Sequence, residues 1–136
     1  MLPNENKEYL KSFCKYEKKL QLLKEQKQEL RIKIENARAI KYSDMPRRCR
    51  EQSDLSDIIV QLENLEERIN ELEVIINNRF IKIQDAIVNM ENVNESSLIH
   101  KRYIEGKDWD TIATEIGYSW TQTHRIHSKA LLNIKL

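Results

Sequence analysis

The sequence predicts an all-α protein, in which a long antiparallel helical hairpin (a coiled coil) is followed by a small helix-turn-helix domain. Three features support this fold class: apolar residues spaced alternately by three and four, consecutive segments of opposite charge, and only two Gly and two Pro among 136 residues. So few turn-forming residues argue against β-sandwiches, β-barrels and nucleotide-binding folds with Gly-rich loops. We expect a coiled-coil domain over residues 1–92 and a second domain over 95–136.

The two long helices are predicted from their apolar seams, the first over about residues 5–41 and the second over about 54–92. Steps of three and four residues keep one stripe of a helix facing a partner helix. Lys27 interrupts the first seam and Arg79 the second. The seam positions are Phe13, Tyr16, Leu20, Leu23, Lys27, Leu30, Ile34 and Ala37, and then Leu55, Ile58, Leu62, Leu65, Ile69, Leu72, Ile76, Arg79, Ile83 and Ala86.

The charge pattern indicates that these two helices pair with each other. Residues 1–52 hold 14 Lys and Arg against 8 Asp and Glu, whereas residues 53–94 hold 3 against 9. Opposite charge blocks attract across a shared seam. Pro46 stops the first helix, and Ser53 or Asp54 is a candidate N-cap of the second. We therefore expect a loop over about 42–53.

The antiparallel register makes a specific prediction for the cation in the second seam. With the turn near residues 47 and 48, Tyr16 lies close to Arg79, and we expect the tyrosine ring to stack on the guanidinium. The alternative is that Arg79 bends out to solvent.

The second helix carries more apolar surface than one partner covers. A helix that is apolar on most sides needs a second neighbour, which is either the C-terminal segment or a second copy of the protein. We favour self-association as a homodimer through the coiled-coil region. The residues concerned are Val74, Ile75, Ile76, Phe80, Ile81, Ile83, Ile87 and Val88.

The last third of the chain has the spacing of two short crossed helices. Gly106 is placed to end one helix, and Gly117 to supply the left-handed residue of a tight turn. Asp108 is placed to cap the helix between them. Ala113 is small where two helices cross, and the core beneath is predicted to hold Ile112, Ile116 and Ile126.

These residues resemble a known DNA-binding pattern. The run RYIEGKDWDTIATEIGYSWTQTHRIHSKAL is similar to the fourth region of sigma-type transcription factors, and more so to the C-terminal part of phage-encoded late transcription regulators of the RinA and ArpU type. The stretch KYSDMPRRCREQSDLSDIIVQLENLEERI resembles the central part of small phage proteins related to that group. The two resemblances cover about the last two-thirds of the chain. The resemblances imply that the protein is a sequence-specific regulator of late-gene transcription and has no catalytic residues.

One position departs from the pattern. Such motifs usually carry Val or Ile where this chain has Thr123. A hydroxyl there either loosens the reading helix or bonds back to the preceding turn.

The helix from about Trp120 to Leu132 is predicted to read the major groove. No acidic residue follows Glu115, so this helix suits a phosphate-lined groove. Arg125 is the candidate for bidentate contact to guanine, Gln122 for adenine, and Trp120 and Thr121 for thymine methyl groups. The base-reading candidates are Trp120, Thr121, Gln122, His124 and Arg125, and the phosphate candidates are Lys107, Tyr118, Ser119, Ser128 and Lys129.

Other chemistries are not expected. His124 and His127 lack a Cys or carboxylate at ligand spacing, and Cys14 and Cys49 are too few for a zinc site. No catalytic triad, paired carboxylates or phosphate loop can be assembled, so we expect no enzyme activity, cofactor or metal. The chain has no apolar run long enough to cross a bilayer and opens without a signal peptide. We therefore expect a cytoplasmic protein of a bacterial host cell.

Three functions follow from this interpretation, with the first favoured. A phage or prophage transcription regulator binds double-stranded DNA as a homodimer, and its hairpin mediates oligomerisation or contacts host RNA polymerase. A DNA-packaging adaptor, like the small subunit of a phage terminase, also combines such segments but assembles as a ring. A protein-interaction module uses the hairpin to bind a partner and does not bind DNA.

Overall fold

The protein is all-α, as the sequence predicts. The computed structural model describes the backbone of residues 2–41 and 48–136, and the side chains of 2–39 and 55–136. The elements are α1 (Pro3–Lys41), α2 (Arg48–Val88), α3 (Val93–Ile99), a π-helical segment (His100–Ile104), α4 (Trp109–Ile116) and α5 (Trp120–Asn133). Within these described ranges there is no strand.

Helix α2 begins earlier than the sequence suggests. It starts at Arg48 rather than near residue 54 and ends at Val88 rather than 92. Residues 48–53, expected in the loop, are therefore helical, and Ser53 and Asp54 lie inside the helix instead of capping it. The reason is local, because the run RCREQS holds no Gly or Pro and is rich in good helix formers. Pro46 and the rest of the connection lie outside the described residues.

The helices pack as two compact units, Met1–Glu17 with Ile76–Leu136, and Lys18–Ile75. In the unit 18–75, α1 and α2 run antiparallel, with cations of α1 opposite acids of α2. Lys24 pairs with Glu73 at 3.5 Å, and Lys27 and Arg31 pair with Glu66 at 3.7 and 3.6 Å. Exposed pairs of this kind contribute at most about 1 kcal/mol each, so they favour one pairing direction more than they add stability.

The seam of this unit is covered as its spacing predicts. Ile34, Ile69 and Leu72 are buried. The remaining described seam positions are half-buried, including Lys27, whose ammonium group reaches Glu66 from within the stripe.

In the unit of 1–17 and 76–136, Arg79 lies where the register predicts. Its guanidinium carbon is 5.0 Å from the ring centroid of Tyr16, which confirms the predicted stacking, and 4.8 Å from that of Tyr9. Nη1 also donates a hydrogen bond of 2.6 Å to Ser12 Oγ. Two aromatic faces and a hydroxyl thus stabilise a cation within an apolar seam.

The core of this unit combines both chain ends. Its largest fully buried apolar side chains are Leu10, Phe13, Ile83, Leu98, Ile99 and Ile112. Ile76, Ile83 and Ile87 of the apolar α2 segment are buried in it, whereas Ile81 and Val88 remain 59% and 78% exposed. The additional apolar surface of α2 is therefore only partly covered within the chain.

Candidate nucleic-acid interface

Helix α4 is delimited by the two residues that the sequence predicts, and α5 begins at a cap that the sequence analysis assigned to phosphate contact instead. Asp108 Oδ1 accepts a hydrogen bond of 2.8 Å from the amide of Thr111 at the start of α4. Gly117 ends that helix with φ of 77°, the left-handed conformation that favours glycine. Ser119 caps α5 by accepting a 3.2 Å bond from the amide of Gln122. Only residues 117–119 connect α4 to α5, and each of the two helices has a side-chain cap for the backbone amides at its amino end.

The inner side of α5 is apolar except at Thr123 and His127. Ala130 and Leu131 are buried, Ile126 is half-buried, and Thr123 is fully buried. Thr123 Oγ1 donates a bond of 2.8 Å to the carbonyl oxygen of Ser119. Of the two expectations for this hydroxyl, the bond to the preceding turn is the one present, and it removes the cost of burying an unpaired polar group.

The outer side of α5 presents most of the base-reading candidates to solvent. Trp120 is 58% exposed, and Thr121, Gln122 and Arg125 are also exposed. We call these four residues the reading face. Across the described residues, Arg125 and its neighbour Lys129 have no ion pair or hydrogen-bond partner. Their charges are therefore not compensated within the protein.

His124 occupies a different position from the one expected for a base reader. Its ring centroid lies 3.9 Å from that of Trp120 and 4.4 Å from that of Trp109. Nε2 is buried and lacks a hydrogen-bond partner, so this atom does not face a groove. Arg102 stacks on the other aromatic neighbour, with its guanidinium carbon 4.6 Å from the Trp109 ring. The histidine supports Trp120 from behind, a role that helical spacing alone does not reveal.

Lys107 also departs from its predicted role as a phosphate contact. Its Nζ bonds both carboxylate oxygens of Glu115 at 2.8 and 2.9 Å and pairs with Glu105 at 2.9 Å. These bonds raise the pKa of Lys107, and bonds from Lys101 and Lys107 lower the pKa of Glu115. The lysine charge is already compensated, because the fold brings two carboxylates to it.

The other phosphate candidates remain at the surface. Tyr118 is 39% exposed, and its hydroxyl accepts a 3.2 Å bond from Asn94 Nδ2. Ser119 is the exposed N-cap of α5 described above. Ser128 Oγ donates a hydrogen bond of 3.1 Å to the carbonyl oxygen of His124. Lys129 is the exposed cation of this set that has no bond within the described chain.

Buried polar contacts that the sequence did not reveal hold α5 in place. Asn6, fully buried in α1, donates through Nδ2 to the carbonyl oxygens of Leu131 at 2.9 Å and Ile134 at 3.1 Å. These carbonyls close the carboxyl end of α5, so a side chain of α1 satisfies the end of α5. No local sequence signal joins residues so far apart in the chain.

A second buried contact lies on the same side of α5. His127 Nε2 and the Tyr103 hydroxyl share a hydrogen bond of 2.8 Å. Burial lowers the pKa of His127 to about 4 and raises the pKa of Tyr103 to about 12. Both groups are therefore neutral at pH 7.

The described residues contain no group of three or more His, Cys, Asp and Glu side chains that could hold a metal ion. None of the helices described above is long and apolar enough to span a bilayer. Comparisons with protein-family models, curated proteins and solved structures find no match to this chain.

Proposed function

We propose that this protein is a sequence-specific transcription regulator that binds double-stranded DNA and reads the major groove with α5. The observation that carries the proposal is the reading face, together with the uncompensated charges of Arg125 and Lys129. A helix whose outer side offers cationic and polar groups near its amino end suits groove entry.

The surroundings of α5 limit repulsion from phosphate. Glu115 is the last acidic residue of the chain, and it is paired with Lys101 and Lys107. The carboxylate nearest in sequence to the reading face is thus compensated. From Glu115 onward the described chain presents no unpaired side-chain carboxylate to an approaching duplex, whereas Asp110 in the first turn of α4 is exposed.

Each group on the face has a distinct proposed role. Arg125 makes a bidentate contact to guanine O6 and N7, and Gln122 contacts adenine. Trp120 and Thr121 contact thymine methyl groups, with the Trp120 ring held against His124. Lys129 and Tyr118 contact phosphates, which fix the orientation of α5 without reading sequence.

The regulator is proposed to control late genes of a phage or prophage and to act as a homodimer, with host RNA polymerase as a further partner. Exposed Ile81 and Val88 of α2 supply apolar surface for self-association. A two-fold dimer places two reading helices about one helical turn of DNA apart, which predicts palindromic half-sites. A solution mass of two chains supports this assembly, whereas eight or more chains indicate a DNA-packaging adaptor.

The test is selection from a randomised duplex library, followed by affinity measurements on the enriched sequence. Arg125→Ala is expected to reduce the preference for that sequence over its single-base variants by about 1–3 kcal/mol at one guanine position. Arg68→Ala is the matched control, because it removes an exposed arginine from α2. A library without any enriched sequence contradicts the proposal.

A further inference from the structure

The start of α1 lies directly beside the segment that carries α5. Asn6 bonds the carboxyl end of α5, and Cys14 Sγ donates a 3.3 Å bond to the carbonyl oxygen of Tyr103. Residue 6 of α1 is thereby fixed at the carboxyl end of α5, and residue 14 beside the π-helical segment. Side chains on the adjoining outer stripe of α1 therefore have a defined position relative to the reading face.

That stripe is basic. Lys7, Lys11 and Lys15 follow one another at intervals of four residues, so they lie about 6 Å apart along one side of the helix. Lys11 and Lys15 are exposed and Lys7 is half-buried. Within the described part of the chain, none of the three has an ion pair or hydrogen bond.

Further along α1, some cations pair with α2, whereas others, such as Lys19, Lys33 and Arg38, are exposed without an ion pair in the described chain. In the unit 18–75, Lys24, Lys27 and Arg31 all meet carboxylates of α2. Lys7, Lys11 and Lys15 have no such carboxylate partner among the described residues, although the exposed Glu5 and Glu8 lie on the same part of α1. Unpaired cations on a fixed surface favour an external anion.

Two lysines of this stripe, Lys7 and Lys11, lie near the buried side of α5. His127 is buried between α5 and its neighbours, and Lys7, Lys11 and Arg102 each contribute to lowering its pKa, after burial itself. His127 also lies 4.8 Å from Trp109, centroid to centroid, and Arg102 stacks on that same ring. Lys7, Lys11, Arg102 and Trp109 therefore lie around His127, on the buried side of α5.

We propose that Lys7, Lys11 and Lys15 form a second phosphate-binding element, which contacts the DNA backbone beside the groove that α5 enters. This inference rests on the proposed function. The three lysines add affinity without sequence preference, because phosphates are the same at every base pair. The N-terminal helix thus has a direct role on DNA in addition to its pairing with α2.

The experiment compares a triple variant, Lys7→Gln, Lys11→Gln and Lys15→Gln, with a control that loses the same charge elsewhere on α1. The control is Lys19→Gln, Lys33→Gln and Arg38→Gln, all at exposed positions of the other unit. Affinity for the selected duplex is measured by fluorescence anisotropy between 50 and 200 mM salt. Each lost phosphate contact lowers the slope of log K against log salt by about 0.9.

For the stripe variant we expect the slope of log K against log salt to be lower by about 2–3, and the ratio of its affinities for selected and random duplex to be unchanged. For the control variant we expect the wild-type slope. Equal slopes in wild type and stripe variant overturn the inference, as does an equal loss in both variants, which reports net charge alone. If the wild type does not bind duplex DNA, the proposed function and this inference fail together. If the wild type binds and Arg125→Ala loses preference, the proposed function stands whichever way the slopes fall. Circular dichroism and thermal unfolding verify that both variants fold.

Discussion

Acid is expected to destabilise the protein through His127. The neutral ring is buried in the native state with a pKa of about 4, against an ordinary value of 6.5. Between these values the unfolded chain binds a proton that the native state does not, so stability falls as the pH is lowered from 6.5 towards 4. The shift corresponds to at most about 3 kcal/mol, and solvent screening at the ring edge reduces it to about 2 kcal/mol.

The assay is urea unfolding followed by circular dichroism at several pH values from 7 to 4.5. His127→Gln keeps a hydrogen-bonding group for the Tyr103 hydroxyl but cannot titrate. Over this pH range, the free energy of unfolding of the variant is therefore expected to fall by about 2 kcal/mol less than that of the wild type. His100→Gln is the control, because His100 is half-exposed and its removal leaves the buried ring in place. Parallel pH profiles for wild type and His127→Gln would refute this account of the histidine.

Two further predictions concern buried contacts. Asn6→Ala leaves two carbonyl oxygens at the end of α5 without their donor. We expect this change to lower the free energy of unfolding in urea by about 2–3 kcal/mol. The control, Asn4→Ala at an exposed position of α1, is expected to change that free energy little. Arg79→Met retains the aliphatic stem but removes the cation from two tyrosine rings and the hydrogen bond to a serine. We expect the free energy of unfolding to fall by about 1–2 kcal/mol in this variant and almost not at all in the control Arg68→Met. Equal losses in the two variants would contradict the stacking interpretation.

The features that the sequence predicted correctly depend on residues that are close in the chain or related by one register. The apolar seams set which sides of α1 and α2 are covered, and the antiparallel register alone placed Tyr16 against Arg79. Asp108 and Gly117 were predictable because capping and left-handed turns are decided within a few residues.

The features that the sequence missed depend on which distant segments meet. Asn6 gives no local sign that it bonds the last turn of α5. The sequence suggests that Lys107 is a free cation, but the fold brings Glu115 to it. Likewise, the sequence suggests that His124 faces outward, but Trp109 packs against its ring. The start of α2 differs from the expectation for another reason, because residues 48–53 form an uninterrupted helix-forming run that continues through the candidate caps Ser53 and Asp54.

The most direct measurement of groove reading by α5 is methylation interference on the selected duplex. Methyl groups placed on guanine N7 project into the major groove and block the atom that Arg125 is proposed to contact. We expect methylation of one guanine in each half-site to prevent binding of the wild type, and this interference to disappear in Arg125→Ala. Wild-type binding that tolerates methylation at every guanine would contradict major-groove recognition by this arginine.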